Sequence, residues 1–272
     1  MSGPRSFDQR SFDQRSFDAN VPNAARMYDY WLGGKNNFAA DRDAAEQIVK
    51  ITHGWIRHDA HLNRAFLGRA VRTIAASGVR QFIDLGSGLP TQENVHEVAK
   101  RADPAARVVY VDYDPIVTAH GQALLAGADG VGFVQADIRK PELILDDPAV
   151  HRLIDFEQPV GLLAVAVLHF VSDEEDPYGI LAAFLRRLVP GSHLAVSHLE
   201  KDSYPKIIDR AQEVYRRVST GFTVRDRDEL TRMFEGFELL EPGLTHPAKW
   251  RPDDQIETAE TFARLVGVGV LR

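Results

Sequence analysis

The sequence predicts an α/β protein: a seven-stranded sheet of mostly buried strands with helices on both faces, entered through a helical N-terminal cap. Three observations predict it. From residue 80 onward, short near-continuous apolar runs alternate with amphipathic helical stretches, the pattern of parallel strands buried on both faces. The first of these runs, in "FIDLGSGLPTQENVH" (82–96), ends in a glycine-rich turn of the kind that joins a strand to a helix. Ahead of residue 80 only helical periodicity is found.

Residues 5–18 read "RSFDQRSFDQRSFD", a direct five-residue repeat that matches neither the helical nor the strand period. Each unit has one Phe and an Arg and Asp that cancel, too little to bury, so residues 1–19 read as a disordered tail. The cap is expected over 20–78. Asn23 is placed to cap a short helix carrying Met27, Tyr28, Tyr30 and Trp31, which Gly33-Gly34 stops. A second helix starts near Asp41, and "HLNRAFLGRAVRTIAASG" gives a third, with Leu62, Phe66, Leu67, Ala70, Val71 and Ile74 on one face and Gly78 as terminator. In the domain expected over 79–272, the strand candidates are "RQFIDL" (80–85), "RVVYVD" (107–112), "VGFVQAD" (131–137), "PVGLLAVAVLHF" (159–170), "SHLAVSHLE" (192–200), "FELLEP" and "ARLVGVGVLR". Helices fit "PIVTAHGQALLAG", "YGILAAFLRRLV" and a longer region over roughly 203–235.

Composition narrows the function. A 44% hydrophobic, 26% charged chain of 272 residues is ordinary for a globular enzyme. The formal charge of -7 argues against non-specific nucleic-acid binding. Without cysteine there is no disulfide, thiolate metal site or cysteine nucleophile. No apolar run approaches the roughly 20 residues of a membrane span, and no secretory signal is seen, so a cytoplasmic protein is expected.

The glycine turn carries the functional argument. A dinucleotide fingerprint would place a third glycine where Thr91 stands, beside Pro90, which fits as an early helical residue. Asp84, two residues before Gly86, aims a carboxylate into the region, and a carboxylate suits a ligand ammonium better than a phosphate. The second strand ends at Asp112, where an acid receives a ribose hydroxyl pair, and the third at Asp137, which could accept from an adenine amino group. Three strand-end acids with glycines between them point to S-adenosylmethionine (SAM), which has an ammonium and no phosphate. "LGGKNN" (32–37) fails as a phosphate loop, because Asp29 and Asn36 stand where a glycine and a Ser or Thr are needed. His58 and His61 lack the further ligands of a metal site, so no metal is expected.

These segments, with "YDYWLGGKNNF", "VVYVDYDPIVTAHGQALL", "ADIRKPE", "VAVLHFVSD" and "RDRDELTRMFEGFELLEPGL", resemble the bacterial S-adenosyl methyltransferase family once catalogued as a domain of unknown function, over roughly residues 20–272. The resemblance implies a class I, Rossmann-like methyltransferase fold with strand order 3-2-1-4-5-7-6, the last strand antiparallel. It implies SAM at Asp84, Gly86, Gly88, Asp112 and Asp137, and Pro90 matches the family's own version of the loop. Ser87, Tyr113 and Ile138, adjacent to those positions, are counted with the cofactor site. Tyr30, Gly34 and Asn36 join them from the segment 28–38, an aromatic cluster with a Gly-Gly turn that reads either as a lid over the ligand or as a plain helical cap.

Methyl transfer needs alignment and exclusion of water, and a base only when the acceptor must lose a proton. His169, after the fourth strand, is the candidate catalytic residue, with His198 behind it. Asp173-Glu174-Glu175-Asp176 reads as a solvated loop or a gate for a cationic substrate. The expected activity is SAM-dependent methyl transfer to a small-molecule acceptor. A SAM-binding module without catalysis, or an NAD-dependent oxidoreductase on a similar sheet, are the alternatives.

Overall fold

The computed structural model describes residues 18–90, 93–124, 127–218, 221–253 and 263–272. Seven strands form one sheet: β1 (Gln81–Leu85), β2 (Arg107–Asp112), β3 (Val131–Gln135), β4 (Gly161–Val165), β5 (His193–Leu199), β6 (Phe237–Leu239) and β7 (Arg264–Leu271), in the order β3-β2-β1-β4-β5-β7-β6. Strands β1 to β5 pair in parallel, and β7 runs antiparallel to both β5 and β6. This is the strand order expected of the class I methyltransferase fold.

The strands are apolar on both faces, and their period-2 alternation divides the core. Ile83, Val109, Val111, Leu162 and Val196 point to one side, where Phe184 and Ile144 pack. Phe82, Val108, Leu163 and Ala195 point to the other, against Phe66, Val71 and Ile74. The latter three belong to the third of the cap helices, α1 (Ala24–Trp31), α2 (Ala39–Ile51) and α3 (Trp55–Ala76). Asn23 caps α1 by accepting from the Ala25 and Arg26 amides, and Gly33 (φ 82°) follows its end. A third cluster joins Met27, Trp31, Ile48 and Ile51 to Ala211, Val214 and Tyr215. The cap is therefore tied to the far part of the chain by apolar burial. Three buried ion pairs add register: Arg26 bridges Asp41 (2.8 Å) and Asp114 (3.2 Å), and Arg264 at the start of β7 meets Asp59 of α3 (2.8 Å).

The remaining helices are α4 (Val95–Ala102), α5 (Pro115–Leu124), α6 (Pro141–Leu145), α7 (Pro148–Leu153), α8 (Pro177–Leu185), α9 (Pro205–Tyr215) and α10 (Arg227–Arg232). Several expectations need correction. Pro90 is not helical. Asn94 takes the N-cap of α4, its amide donating to Glu97 Oε2 (2.8 Å) in a capping box, so the helix begins at Val95 rather than at the proline. The fourth strand stops at Val165: the Ala166 amide still donates to Ser197 O (3.2 Å), but its φ of 57° turns the chain out of the extended conformation before the short 3-10 turn Leu168–Phe170. Among the described residues, the helical region expected over 203–235 holds α9 and α10, with the non-helical segment 221–226 between them. Helices α6 and α7, each opened by a proline, were not anticipated. The five-residue repeat, apart from Asp18, lies outside the described residues.

Candidate cofactor and acceptor site

Parallel strands bring their carboxyl ends to one edge of the sheet, and there β1, β2, β3 and β4 border a cavity of about 170 Å³. The turn after β1 forms its floor. Gly86 takes φ 64°, and a Cβ there would lie 2.2 Å from Val167 Cγ2, so close packing on the β4 turn as well as backbone conformation demands glycine. Gly88 has the same φ but faces open space. The Ser87 amide donates to Val111 O (3.1 Å), which pins the turn to β2.

The strand-end acids have distinct environments. Asp84 is buried, and burial pushes its carboxyl up to about 7, with Arg64 opposing and the Asp112 charge reinforcing the rise. Asp112 is also buried. It accepts from the Gly88 amide (2.9 Å) and the Asp114 amide (3.0 Å), yet burial still pushes it up to about 6. Asp137 is half-exposed. Burial raises its carboxyl, but the Arg139 guanidinium, at 2.9 and 2.6 Å, outweighs this and holds it below the ordinary carboxylate range. Two buried carboxylates that ionise reluctantly make a site that favours a cation.

His169 sits in the 3-10 turn after β4, buried, with its carbonyl accepting from the Thr223 amide (2.7 Å). Its Nδ1 is buried without a hydrogen-bond partner among the described residues. Burial, then His198 and the Arg264 and Arg225 charges, hold its pKa well below the histidine range, so the ring is neutral. His198 does not line the cavity. It sits between Leu199 O (2.7 Å) and Arg225 Nη1 (2.9 Å), which requires the proton on Nδ1. The fully buried Arg225 also donates to Leu168 O, Val171 O and Asp173, and so fastens the turn that carries His169.

The cavity brings together Asp84, Gly86, Ser87, Gly88, Asp112, Tyr113, Asp137, Ile138 and His169. It does not include Tyr30, Gly34 or Asn36. Tyr30 donates to Glu46 Oε1 (2.6 Å) on the outside of the cap. Gly34 is a steric requirement, since a Cβ would fall 2.0 Å from the Asp29 carboxylate. The Asn36 amide and the Asn37 side chain both donate to that carboxylate (3.0 and 2.9 Å). The polar turn thus holds Asp29, and it is Asp29, with Tyr28, Trp31 and Leu32, that reaches the cavity. The acidic run 173–176 is also more than a solvated loop: Asp173 pairs with Arg225, Glu175 with Arg139, and Asp176 caps α8 through the Gly179 amide (2.9 Å).

Sequence reasoning missed Asn63, Arg64, Tyr215 and Arg264, all of which line the cavity. Asn63 carried a signal: it stands three and four residues before Phe66 and Leu67, on the apolar face of α3. Arg264 had only the weaker mark of a charge opening an apolar strand.

Among proteins of known structure, the chain is similar to a DUF574 family protein from Streptomyces avermitilis, 37% identical with a TM-score of 0.89, over 94% of this chain and 99% of that one. It is similar also to a candidate methyltransferase from Thermobifida fusca, 40% identical with a TM-score of 0.88, over 94% of this chain and 97% of that one. No functionally curated protein matches it. The sequence profile of the S-adenosyl methyltransferases matches residues 10–272. The chain therefore belongs to the S-adenosyl methyltransferase family and is a SAM-dependent methyltransferase.

Proposed function

We propose that this methyltransferase acts on a small-molecule acceptor held between the strand ends and the helical cap, with SAM bound along β1 to β3. The observation that carries the reading is the pair of buried carboxylates, Asp84 and Asp112, lifted to about 7 and 6 in the cavity wall. A ligand ammonium beside Asp84 and a ribose diol on Asp112 would hold both ionised, so the donor set fits the cofactor. Arg64, close enough to Asp84 to lower its pKa, suits the carboxylate of the same amino-acid group. Asp137 and Ile138 border the place for the adenine. A pyrophosphate fits poorly. The Gly88 amide it would need already donates to Asp112, and α4 begins only at Val95.

When bound, SAM supplies a methyl carbon already activated by its sulfonium. The protein's tasks are then alignment and dryness. Trp31, Phe170, Tyr215 and Phe222 supply apolar walls on the cap side. His169, as the Nε2–H tautomer, can accept a hydrogen bond at Nδ1 from the acceptor's hydroxyl or amine. Its depressed pKa suits it to orient that group more than to store a proton. The enclosed, largely apolar walls support a small acceptor. We also assign residues 20–78 to the cap and 79–272 to the SAM-binding domain.

Calorimetric titration of the protein with S-adenosylhomocysteine and with NADH tests the cofactor side. S-adenosylhomocysteine should bind and NADH should not. Incubation with SAM and a small-molecule library, read as S-adenosylhomocysteine release, tests the acceptor side. Turnover confined to a protein or nucleic-acid acceptor would overturn the small-molecule reading.

A further inference from the structure

The cap-side end of the cavity holds three buried polar atoms that no protein group among the described residues satisfies: Arg264 Nη1, Asn63 Oδ1 and His169 Nδ1. Their residues all line the cavity. Buried polar groups in folded proteins are nearly always paired, so three on residues that line one cavity point to a ligand.

Each orientation is fixed by neighbours. The Arg264 guanidinium meets Asp59 Oδ2 through Nε (2.9 Å) and Nη2 (2.8 Å), which leaves Nη1 as the remaining donor. Tyr28 donates its hydroxyl hydrogen to Ala60 O (3.0 Å), so it can only accept from Asn63, whose Nδ2 lies 2.9 Å away. That sets the amide: Nδ2 faces Tyr28, and Oδ1 is the acceptor left over. Beside the His169 nitrogen, Arg264 and Asn63 thus offer one donor and one acceptor, and Trp31, Tyr215 and Phe222 line the same cavity. Charge at this end is already balanced, because Arg264 and Asp59 are both buried and paired with each other. A ligand carboxylate or ammonium would add a third buried charge with no partner to offset its desolvation. A neutral group adds none.

We propose that this end of the cavity is the acceptor-recognition subsite, and that it selects an uncharged, largely apolar molecule carrying one hydrogen-bond acceptor for Arg264 Nη1 beside one donor for Asn63 Oδ1, as in a primary amide or a hydroxy-carbonyl compound. The inference rests on the small-molecule methyltransferase reading. Burial, then His198 and the charges of Arg264 and Arg225, also keep the neighbouring His169 neutral, so its contribution too is hydrogen bonding rather than charge.

Three probes share one apolar body: 2-naphthamide, 2-naphthoate and 2-naphthylmethylamine. Each is titrated calorimetrically into the full chain saturated with S-adenosylhomocysteine. The amide should bind at least tenfold more tightly than either charged probe. Two variants locate the effect: Asn63→Leu, and the double change Asp59→Asn with Arg264→Gln, which removes the ion pair without stranding Asp59. Both should weaken the amide tenfold or more and leave S-adenosylhomocysteine affinity within twofold. Tighter binding of the naphthoate, or amide affinity unchanged in both variants, would overturn the proposal. If a variant fails to fold, the ranking of the three probes on the wild type decides alone. Failure of S-adenosylhomocysteine to bind the wild type would sink the cofactor reading instead, and the same ranking on the ligand-free protein would still judge the subsite.

Discussion

The two ends of the cavity are built in opposite ways. At the β1–β3 rim each polar group sits at the carboxyl end of its own strand, next to a turn: Asp84, Asp112 and Asp137, with the glycines between. At the cap end, Asn63 comes from α3, His169 from the turn after β4, and Arg264 from the first residue of β7. The rim holds two carboxylates whose charged forms burial disfavours, and which a bound cation would stabilise. The cap end pairs its charges internally and leaves only hydrogen-bonding atoms over. A site that must hold one invariant cofactor can be specified by local strand–turn chemistry. A site for an acceptor is assembled from distant elements, and its selectivity lies in what those elements leave unpaired.

The largest effect should come from breaking the cap end's support. Arg225 is buried and donates to Leu168 O, Val171 O, Asp173 and His198. Arg225→Met leaves Leu168 O, Val171 O and the His198 ring nitrogen unsatisfied, while Asp173 is 65% exposed and returns to water; three buried acceptors left unpaired should lower stability by about 3–5 kcal/mol. Urea denaturation measures it. A loss under about 1 kcal/mol would mean that the His169 turn is held by its apolar packing alone.

The same contrast decides what was legible in the sequence. That Asp84, Gly86, Gly88, Asp112 and Asp137 gather at the cavity could be read because each is defined by its place within a few residues of a strand end. The sheet order followed from resemblance, and the apolar alternation supports it. Arg225 and Arg264 were not legible, since an arginine in sequence does not reveal that its partners, Asp173 and Asp59, are brought to it by the fold. Tyr30, Gly34 and Asn36 misled for a related reason. The polar turn is conspicuous, but it holds the Asp29 carboxylate, and Asp29 rather than the turn lines the cavity. Pro90 misled because the helix start is set by the Asn94–Glu97 capping box rather than by the proline.

At the rim, Asp112→Ala should weaken S-adenosylhomocysteine by about 1.5–3 kcal/mol, the scale of hydrogen bonds to a charged group. The variant also frees the Gly88 amide, so the turn loses its tie to β2 at that point. Unchanged affinity in calorimetry would remove Asp112 from the cofactor site.

Acid should separate the two ends. In the ligand-free fold Asp84 and Asp112 titrate near 7 and 6, above their ordinary value, because burial disfavours the charge. Their protonated forms therefore favour the fold, and that contribution is lost as pH rises from about 4 through about 7. A cationic ligand reverses the preference. Its binding should release protons near pH 6.5, and affinity should fall as pH drops from 8 to 6, approaching tenfold per unit once Asp84 is protonated. Titrations in buffers of different ionisation heat count the protons, and Asp84→Asn should flatten the profile. At the cap end, His169 stays neutral over the same range, so 2-naphthamide affinity should not change with pH. A flat profile for S-adenosylhomocysteine would contradict the assignment of Asp84 to its ammonium.

The smallest effect belongs to a residue that sequence reasoning placed in the site and the fold places outside it. Tyr30 donates to Glu46 Oε1 at 2.6 Å, while the Arg57 guanidinium lies 5.3 Å from its ring centre and pairs with the same Glu46. All of this lies toward solvent: the Arg57 and Glu46 side chains are 45% and 37% exposed, so their ion pair contributes little. Tyr30→Phe removes one partly buried hydroxyl and leaves the ring in place. It should cost about 0.5–1.5 kcal/mol of stability and leave S-adenosylhomocysteine affinity unchanged. Thermal melting and calorimetry on the one variant read both. If affinity fell tenfold with stability intact, Tyr30 would have to reach the ligand on closure of the cap, and residues 28–38 would be a lid. If only stability moves, the segment is a wall, and Asp29, Tyr28 and Trp31 are its working face.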